Sequence, residues 1–448
     1  PEKILQRCSH YYDTNGAKQP FSMNELNKKI DELANRAIRV LALATSEDSL
    51  GEDSLPAGNN WTLVGVVGIR DEVRPESVTA IKEVKGAGVQ VVMITGDRKE
   101  TAVAIAKEAG LLEKDTDVVL TSDELAKLSD EEIKSKMADI RVIARALPSD
   151  KSRLVRLAQE LDLVAGMTGD GVNDSPALKK ADVGFAMGGG TEVAKEASDI
   201  VILDDNFNSI DKAILYGRTI FNSIRKFIVF QLTINVAAVL ISFICPLLNL
   251  ENPLSVIQIL WVNLVMDTLA ALAFGGEPAL SRFMKEKPKR RNEPIISKNM
   301  MSEIAVGAGW TFILSLAMLL LGSLPTGGQS YLEQWGFLRE STIDGVTHAY
   351  LHTAYFAFFI FIAVFNAFNA RTDKMNLFDN LTKNKGFLAV FGIIAVVQII
   401  MTYLGGAILN GYGLNLTEWI VVLVPAISII PVDLIRKAIV NSVEKNKQ

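Results

Sequence analysis

The sequence predicts two fold classes in series: an α/β domain built on a parallel sheet, followed by an all-α membrane domain of six helices. Between Trp61 and Asp205, short apolar runs alternate with amphipathic stretches, the pattern of repeated β-α units. After Asp205, six long apolar segments follow one another. Charge divides in the same way, with charged residues crowding the first half and apolar runs filling the second. At 448 residues the chain exceeds one ordinary domain, and a hydrophobic share of 49% with mean hydropathy +0.24 is high for a soluble one.

Each element follows from local pattern. A helix pattern over 25–36 and a strand-like run over 38–44 come first, then a polar loop over 46–60. Strands are expected at 63–67, 89–94, 141–144, 163–167, 183–186 and 200–203. Helices are expected between them at 75–85, 99–108 and 150–160, giving a parallel sheet covered on both faces. The apolar segments lie at 226–248, 254–274, 303–323, 351–370, 387–405 and 416–435, each near the ~20 residues that cross a bilayer. Basic segments at 285–291, 371–385 and 436–447 follow the second, fourth and sixth spans, while the other loops carry little positive charge. The positive-inside rule then puts both ends of this half, and the α/β domain, in the cytoplasm. The run 285–291 reads as a topology anchor, with anionic lipid as the alternative partner.

Composition excludes several classes. A net charge of −5 argues against a nucleic-acid binder with a basic surface. Cys8 and Cys245 are distant in sequence and in different environments, so neither a disulfide framework nor a zinc site is expected. Residues 1–10 do not read as a signal peptide, and the start without Met predicts a piece of a longer sequence.

The strongest motif is the twelve-residue run 168–179, TGDGVNDSPALK, placed where a strand ends and a helix begins. Strand carboxyl ends are where open α/β sheets bind ligands. Asp170 and Asp174, on a turn opened by two glycines, offer oxygens to a hard Mg²⁺. Thr95-Gly96-Asp97 also follows a strand and precedes a helix, so its hydroxyl and amides can bind phosphate. Lys151, at the start of a third helix, can offset charge on a phosphorylated carboxylate. Alone, the second motif reads as an N-cap and the lysine as a solvated one; their joint order carries the weight.

Asp71-Glu72-Val73-Arg74, Thr95-Gly96-Asp97, Lys151 and the run 168–179 together resemble the ordered motifs of P-type ATPases. The resemblance implies a haloacid-dehalogenase-like phosphorylation domain of Rossmann type. It also implies ATP as substrate, Mg²⁺ as cofactor and phosphoryl-transfer-driven ion transport. By the resemblance, residues 1–65 are the C-terminal part of a nucleotide-binding domain. Residues 66–205 are the phosphorylation domain, 206–225 a stalk, and 226–448 the membrane domain. Asp170 would bind Mg²⁺ and Asp174 support the phosphorylation site, with Lys151 and Thr95 acting in catalysis. Arg39, Thr95, Gly96, Asp97, Arg145, Lys151 and Asn173 would contact nucleotide or the transferred phosphate. Pro1-Glu2 would be the remnant of a further stretch of the nucleotide-binding domain. The family's phosphorylated aspartate sits in an Asp-Lys-Thr-Gly-Thr motif that this sequence lacks, as it lacks the Thr-Gly-Glu motif and the first four spans. The chain is therefore expected to be inactive alone and to need the pump's N-terminal half, by truncation or as a natural split protein.

In the membrane segments one carboxylate, Asp267, stands well inside a span, and such residues default to function. Asn263 lies four residues earlier and is expected on the same helix face, and Asn235 adds an oxygen from the preceding span. Interhelical hydrogen bonding is the structural alternative for both residue types. The run 258–267, QILWVNLVMD, resembles the sixth span of type II calcium pumps. The runs 230–236 and 365–371 are similar to the plasma-membrane subgroup, which implies Ca²⁺ as the transported ion and the plasma membrane as location. Ala238 and Ala363 stand where two-site pumps have glutamates, which implies one Ca²⁺ per cycle. Other readings stay open. They are Mn²⁺, Na⁺ or H⁺ as the ion, a non-catalytic half-pump regulating an intact one, and a phosphatase domain on an unrelated anchor. The chain ends about a dozen residues past the last span, too soon for a long calmodulin-binding tail. His348 and His352, four apart, read as interface histidines or as a metal pair.

Overall fold

In a computed structural model of the chain, residues 2–20, 22–34, 38–46, 60–69, 72–326, 329–343 and 345–445 are described. By internal packing they fall into two units, Pro1–Leu215 with Ser281–Glu293, and Tyr216–Leu280 with Pro294–Gln448.

The first unit opens with a short helix α1 (Glu2–Leu5), strands β1 (Cys8–Tyr12) and β2 (Lys18–Pro20), helix α2 (Met23–Ala34) and strand β3 (Arg39–Thr45). Strand β4 (Trp61–Ile69) is rich in β-branched and apolar residues and completes a mixed sheet of order β2-β1-β4-β3. Apolar side chains of α1 and α2 pack on that sheet, with Leu5, Ile30, Val40 and Leu63 at their core. The expected domain boundary between residues 65 and 66 falls inside the expected strand 63–67. β4 crosses that point while paired with β3 from Arg39↔Ile69 to Thr45↔Thr62, so the whole strand belongs to the N-terminal sheet.

Two parallel ladders follow. Helix α3 (Pro75–Gly86), strand β5 (Met93–Ile94) and helix α4 (Lys99–Glu108) lead to strand β6 (Val118–Thr121). Helices α5 (Ser122–Ala126) and α6 (Asp130–Lys136) each begin with a capping box, Thr121 with Glu124 and Ser129 with Glu132. Strand β7 (Ile140–Ala144) sits between β5 and β6 in register, and its fully buried Val142, Ile143 and Ala144 form the floor of the core. Helix α7 (Pro148–Glu160) precedes strand β8 (Gly166–Gly169), helix α8 (Ser175–Lys180), strand β9 (Val183–Met187), helix α9 (Glu192–Glu196) and strand β10 (Ile200–Ile202). The second ladder has order β10-β9-β8, again parallel. The expected strand 89–94 shrinks to two residues and 163–167 shifts to Gly166–Gly169, since only those stretches find a ladder partner.

The second unit is helical. Helix α10 (Phe207–Leu247) is continuous through the expected stalk and the first span. The second span is broken: α11 (Val256–Leu260), a π-helical segment Trp261–Met266, then α12 (Asp267–Gly275). Helix α13 (Lys298–Ser323), a short α14 (Tyr331–Gln334), α15 (Ala349–Arg371), α16 (Lys385–Leu404), a turn α17 (Gly406–Leu409), α18 (Leu416–Ile427) and α19 (Ile429–Lys445) complete it. Among the described residues six helical stretches are long and apolar enough to cross a membrane, α18 and α19 joining as the sixth. α15 is buried along nearly its whole length, which makes it the central post of the bundle. Phe230, Phe274, Phe387 and Phe391 lock α10, α12 and α16 together with ring centroids 4.7–6.1 Å apart. Each such aromatic pair contributes about 0.5–1.5 kcal/mol beyond its burial.

Candidate functional sites

The phosphate site grows from strand ends. β8 stops at Gly169, and Asp170 follows on an exposed turn whose carbonyl oxygen accepts from the Thr191 amide at 2.8 Å. Asp174, by contrast, is 6% exposed. Its Oδ2 accepts from the amides of Asp170 and Gly171, both at 3.3 Å, and its Oδ1 takes the Lys151 ammonium at 2.5 Å. One carboxylate is thus spent on holding the turn and the lysine, while nothing among the described residues pairs with the Asp170 side chain. Gly169 is needed here because a Cβ on it would lie 2.4 Å from Asp174 Cβ. Gly190 serves the same closeness, its Cβ position lying 2.9 Å from the Asp170 carbonyl oxygen.

Lys151 is placed by its neighbour. Asp150, buried at the first turn of α7, accepts from the Leu147 amide at 2.8 Å and the Ser122 hydroxyl at 2.6 Å. Beyond the ends of β5 and β7 the backbones remain bonded, Arg145 N to Asp97 O and Ala146 N to Thr95 O, both 2.9 Å. The Thr95 hydroxyl accepts from the Asp97 amide at 3.1 Å and donates to Asp97 Oδ2 at 3.0 Å, a closed turn. Arg145 holds that position with a left-handed φ of 51° and pairs with Glu2. The structure therefore gathers Thr95, Asp97 and Arg145 in one group, and Lys151, Asp170 and Asp174 in another. Gly96 and Asn173 stand exposed on their turns. Arg74 donates to the Asp205 carbonyl at 3.2 Å. Pro1 and Asp71 lie outside the described residues, and of Arg39 only the strand position is described.

Mg²⁺ commonly takes one or two carboxylates and completes its shell with water and phosphate oxygens. Asp170 fits that demand as an unpaired carboxylate on a backbone-pinned turn. Asp174 has both oxygens engaged by Lys151 and the turn amides, so Asp170 is the freer of the two carboxylates.

Among the described residues of the membrane unit five acidic side chains are buried: Asp267, Glu277, Glu303, Glu418 and Asp433. Four have cationic partners. Glu277 meets Lys226 at 3.3 Å and Arg371 at 3.6 Å, and Glu303 meets Arg436 at 3.2 Å. Asp433 holds Lys437 at 2.8 Å as well as Arg436, and Glu418 grips Arg339 through both oxygens. Asp267, 5% exposed, has a neutral partner instead, the Gln231 amide at 3.2 Å. The sequence reading missed the other four because each lies near a span end; Glu277 and Glu303 are neutralised from other helices, Glu418 from the loop residue Arg339, and Asp433 from its own helix. It also missed Gln231, for which the only signal was its spacing of four from Asn235.

Asn263 differs from Asp267 in its surroundings. Expected on the same face as Asp267, it is exposed while Asp267 is buried. Asn263 lies inside the π-helical segment Trp261–Met266, whose i→i+5 bonding widens the turn. Asn235 is half-buried on α10. His348 and His352 do not form a pair either: one faces Glu333 at 3.5 Å, the other Glu251 at 3.6 Å. Among the described residues no three acidic, histidine or cysteine side chains gather as a metal cluster. The basic run is engaged by protein, with Arg291 on Asp182 at 2.8 Å and Lys289 on Glu293 at 2.7 Å.

Comparison with known proteins bears on both sites. Residues 251–439 match the cation transporting ATPase C-terminus family, and 17–182 and 155–214 match haloacid dehalogenase-like hydrolase families. The calcium-transporting ATPase 12, plasma membrane-type, of Arabidopsis thaliana is 39% identical over 431 residues, covering 93% of this chain and 39% of the relative. The plasma membrane calcium-transporting ATPase 1 of Homo sapiens is 36% identical over 453 residues, covering 94% and 36%. Over nearly its whole length the chain is similar to part of these calcium-transporting ATPases. It spans about two fifths of the length of these relatives. A haloacid-dehalogenase-like domain with parallel sheets precedes apolar helices of membrane-crossing length. In such a chain, a membrane carboxylate without a cationic partner is the feature that departs from structural economy.

Proposed function

We propose that the protein acts in ATP-driven calcium transport through an aspartyl-phosphate cycle, moving one Ca²⁺ per cycle across the plasma membrane with its phosphorylation domain in the cytoplasm. The observation that carries this reading is the isolation of Asp267 from any cationic partner among the described residues. A buried carboxylate is costly unless neutralised, and a transported cation supplies the neutralisation that Lys226, Arg339, Arg371, Arg436 and Lys437 supply elsewhere. Calcium is favoured by the relatives, which are calcium-transporting ATPases by name. A single ion is favoured by Ala238 and Ala363, whose side chains offer no ligand. The reading takes the phosphorylated aspartate and a further cation ligand from sequence outside these 448 residues.

At the phosphate site, Asp170 would hold Mg²⁺, which when bound offsets charge on the transferred group. Asp174 keeps the Asp170–Gly171 turn in place and positions Lys151, whose ammonium supports the negative phosphate. Thr95 and the amides of its turn orient phosphate oxygens, with Arg145 beside them.

The test is cation-dependent phosphorylation from ATP in the protein expressed from its complete gene, across calcium, manganese and sodium. Expected is phosphorylation that requires calcium, carries one bound calcium per phosphoenzyme and disappears in Asp267→Asn. Dependence on manganese or sodium alone would replace the cation. Two calcium ions per phosphoenzyme would refute the single site. Phosphorylation indifferent to cations and to Asp267→Asn would refute transport.

A further inference from the structure

Asp267 meets a particular neighbour. The Gln231 amide, on α10, reaches its Oδ2 at 3.2 Å. An ionised carboxylate only accepts, so the amide presents its N–H side to it. Gln231 stands one helical turn before Asn235, which puts two amides on one face of α10. The rotation of α10 against α12 is fixed beside them, where Phe230 packs on Phe274 at 5.7 Å and edge-on to Phe391 at 5.8 Å.

The choice of an amide has chemical meaning. Lysine or arginine at this position would neutralise Asp267 permanently, as they do for Glu277, Glu303, Glu418 and Asp433, and would compete with any incoming cation. A hydrocarbon would leave the carboxylate with no partner at all. An amide carries donors on one side and an acceptor oxygen on the other, and half a turn about its last side-chain bond exchanges them. Carbonyl oxygens are ligands suited to hard cations.

We propose that Gln231 is a switching ligand of the cation site: it donates to Asp267 when no cation is there, and turns its carbonyl oxygen onto the cation when one binds. This rests on the reading of Asp267 as a cation ligand and adds to it a residue beyond Asn235, Asn263 and Asp267. The ligand class is a hard, oxygen-seeking metal ion. Holding Asp267 in place without a competing charge lowers the cost of waiting for the ion, and the same side chain contributes to binding it.

The experiment uses the protein expressed from its complete gene, purified in lipid nanodiscs, with equilibrium ⁴⁵Ca²⁺ binding measured without ATP beside calcium-dependent phosphorylation. Gln231→Leu, and Gln231→Met as a closer isostere, are expected to weaken calcium binding by about tenfold, the loss usual for an outer partner of a metal ligand. The calcium concentration for half-maximal phosphorylation should rise in step with the binding constant, a parallel shift that a merely structural defect would not produce. Gln231→Glu, which restores the oxygen and lacks the donor, should recover affinity to within about threefold. Calcium binding within twofold of wild type in both Gln231→Leu and Gln231→Met would overturn the proposal. Asp267→Asn serves as the separate control: unaltered calcium binding in that variant would refute the site itself, independently of Gln231.

Discussion

Replacing Lys151 by methionine keeps the stem of the side chain and removes its charge, leaving Asp174 as a buried carboxylate without its cation. Both side chains are largely enclosed, at 18% and 9% exposure, and their separation is 2.5 Å. Removing one partner of a buried pair costs about 3–5 kcal/mol. Two amide donors, from Asp170 and Gly171, stay on the other oxygen, so the lower end, about 3 kcal/mol, is expected. For a unit of this size each kcal/mol lowers Tm by about 2–4 °C, giving a drop of about 6–12 °C. The assay is thermal unfolding of the purified protein in detergent, followed by circular dichroism and by protease resistance of the first unit. The double variant Lys151→Met/Asp174→Leu removes the orphaned charge and should regain at least half of the loss, since replacing both partners by apolar groups is close to neutral. A Tm within about 2 °C of wild type in Lys151→Met, or a double variant as unstable as the single, would refute the reasoning that Asp174 depends on Lys151.

Two further outcomes are expected. Gly169→Ala drives a methyl to 2.4 Å from Asp174 Cβ and should cost about 1–3 kcal/mol by thermal unfolding, whereas Gly171→Ala, whose nearest neighbour would be 3.8 Å away, should stay within about 0.5 kcal/mol. Hydrogen bonds from Arg156, and then from Arg153, hold the Asp130 carboxyl below its ordinary value of 3.8. A lowered folded value means the stabilisation is whole above the ordinary value and is lost as pH falls through the folded one. The stability gap between wild type and Asp130→Asn should therefore be open at pH 7 and narrow as the pH is taken below the ordinary value of 3.8, as read from unfolding across an acid pH series.

The parts legible in the sequence were those set by local chemistry. TGDGVNDSPALK marks a strand end because apolar residues stop at a glycine turn, and the structure puts Gly169 at the end of β8 and Ser175 at the start of α8. Lys99–Glu108 and Pro75–Gly86 follow their helical periodicity and their N-terminal signals. β6 is four residues long and its identity as a strand depends on pairing with β7, which no local window contains. The sheet that β4 joins was not legible, because its parallel partner β1 lies some fifty residues away. At the cation site, Asp267 could be picked out by its place in a span, yet its isolation required knowing where Lys226, Arg371, Arg436 and Lys437 go. The exposure of Asn263 and the π-helical turn around it were not legible in its spacing of four from Asp267.

That irregularity has a mechanical consequence. The stretch Val256–Phe274 contains neither proline nor glycine, so the usual hinges are missing from the second span. What it has is one residue of slack, stored in the wide turn Trp261–Met266. Slack of this kind travels: as one i→i+5 bond reverts to i→i+4 and the next opens, the defect moves along the helix and each side chain it passes swivels about the axis. Sliding the defect along the span would turn Asn263 and its neighbours about the axis. Side chains can then be reoriented with no bending of the helix and no separation of its ends, only the passage of a dislocation through a stiff rod.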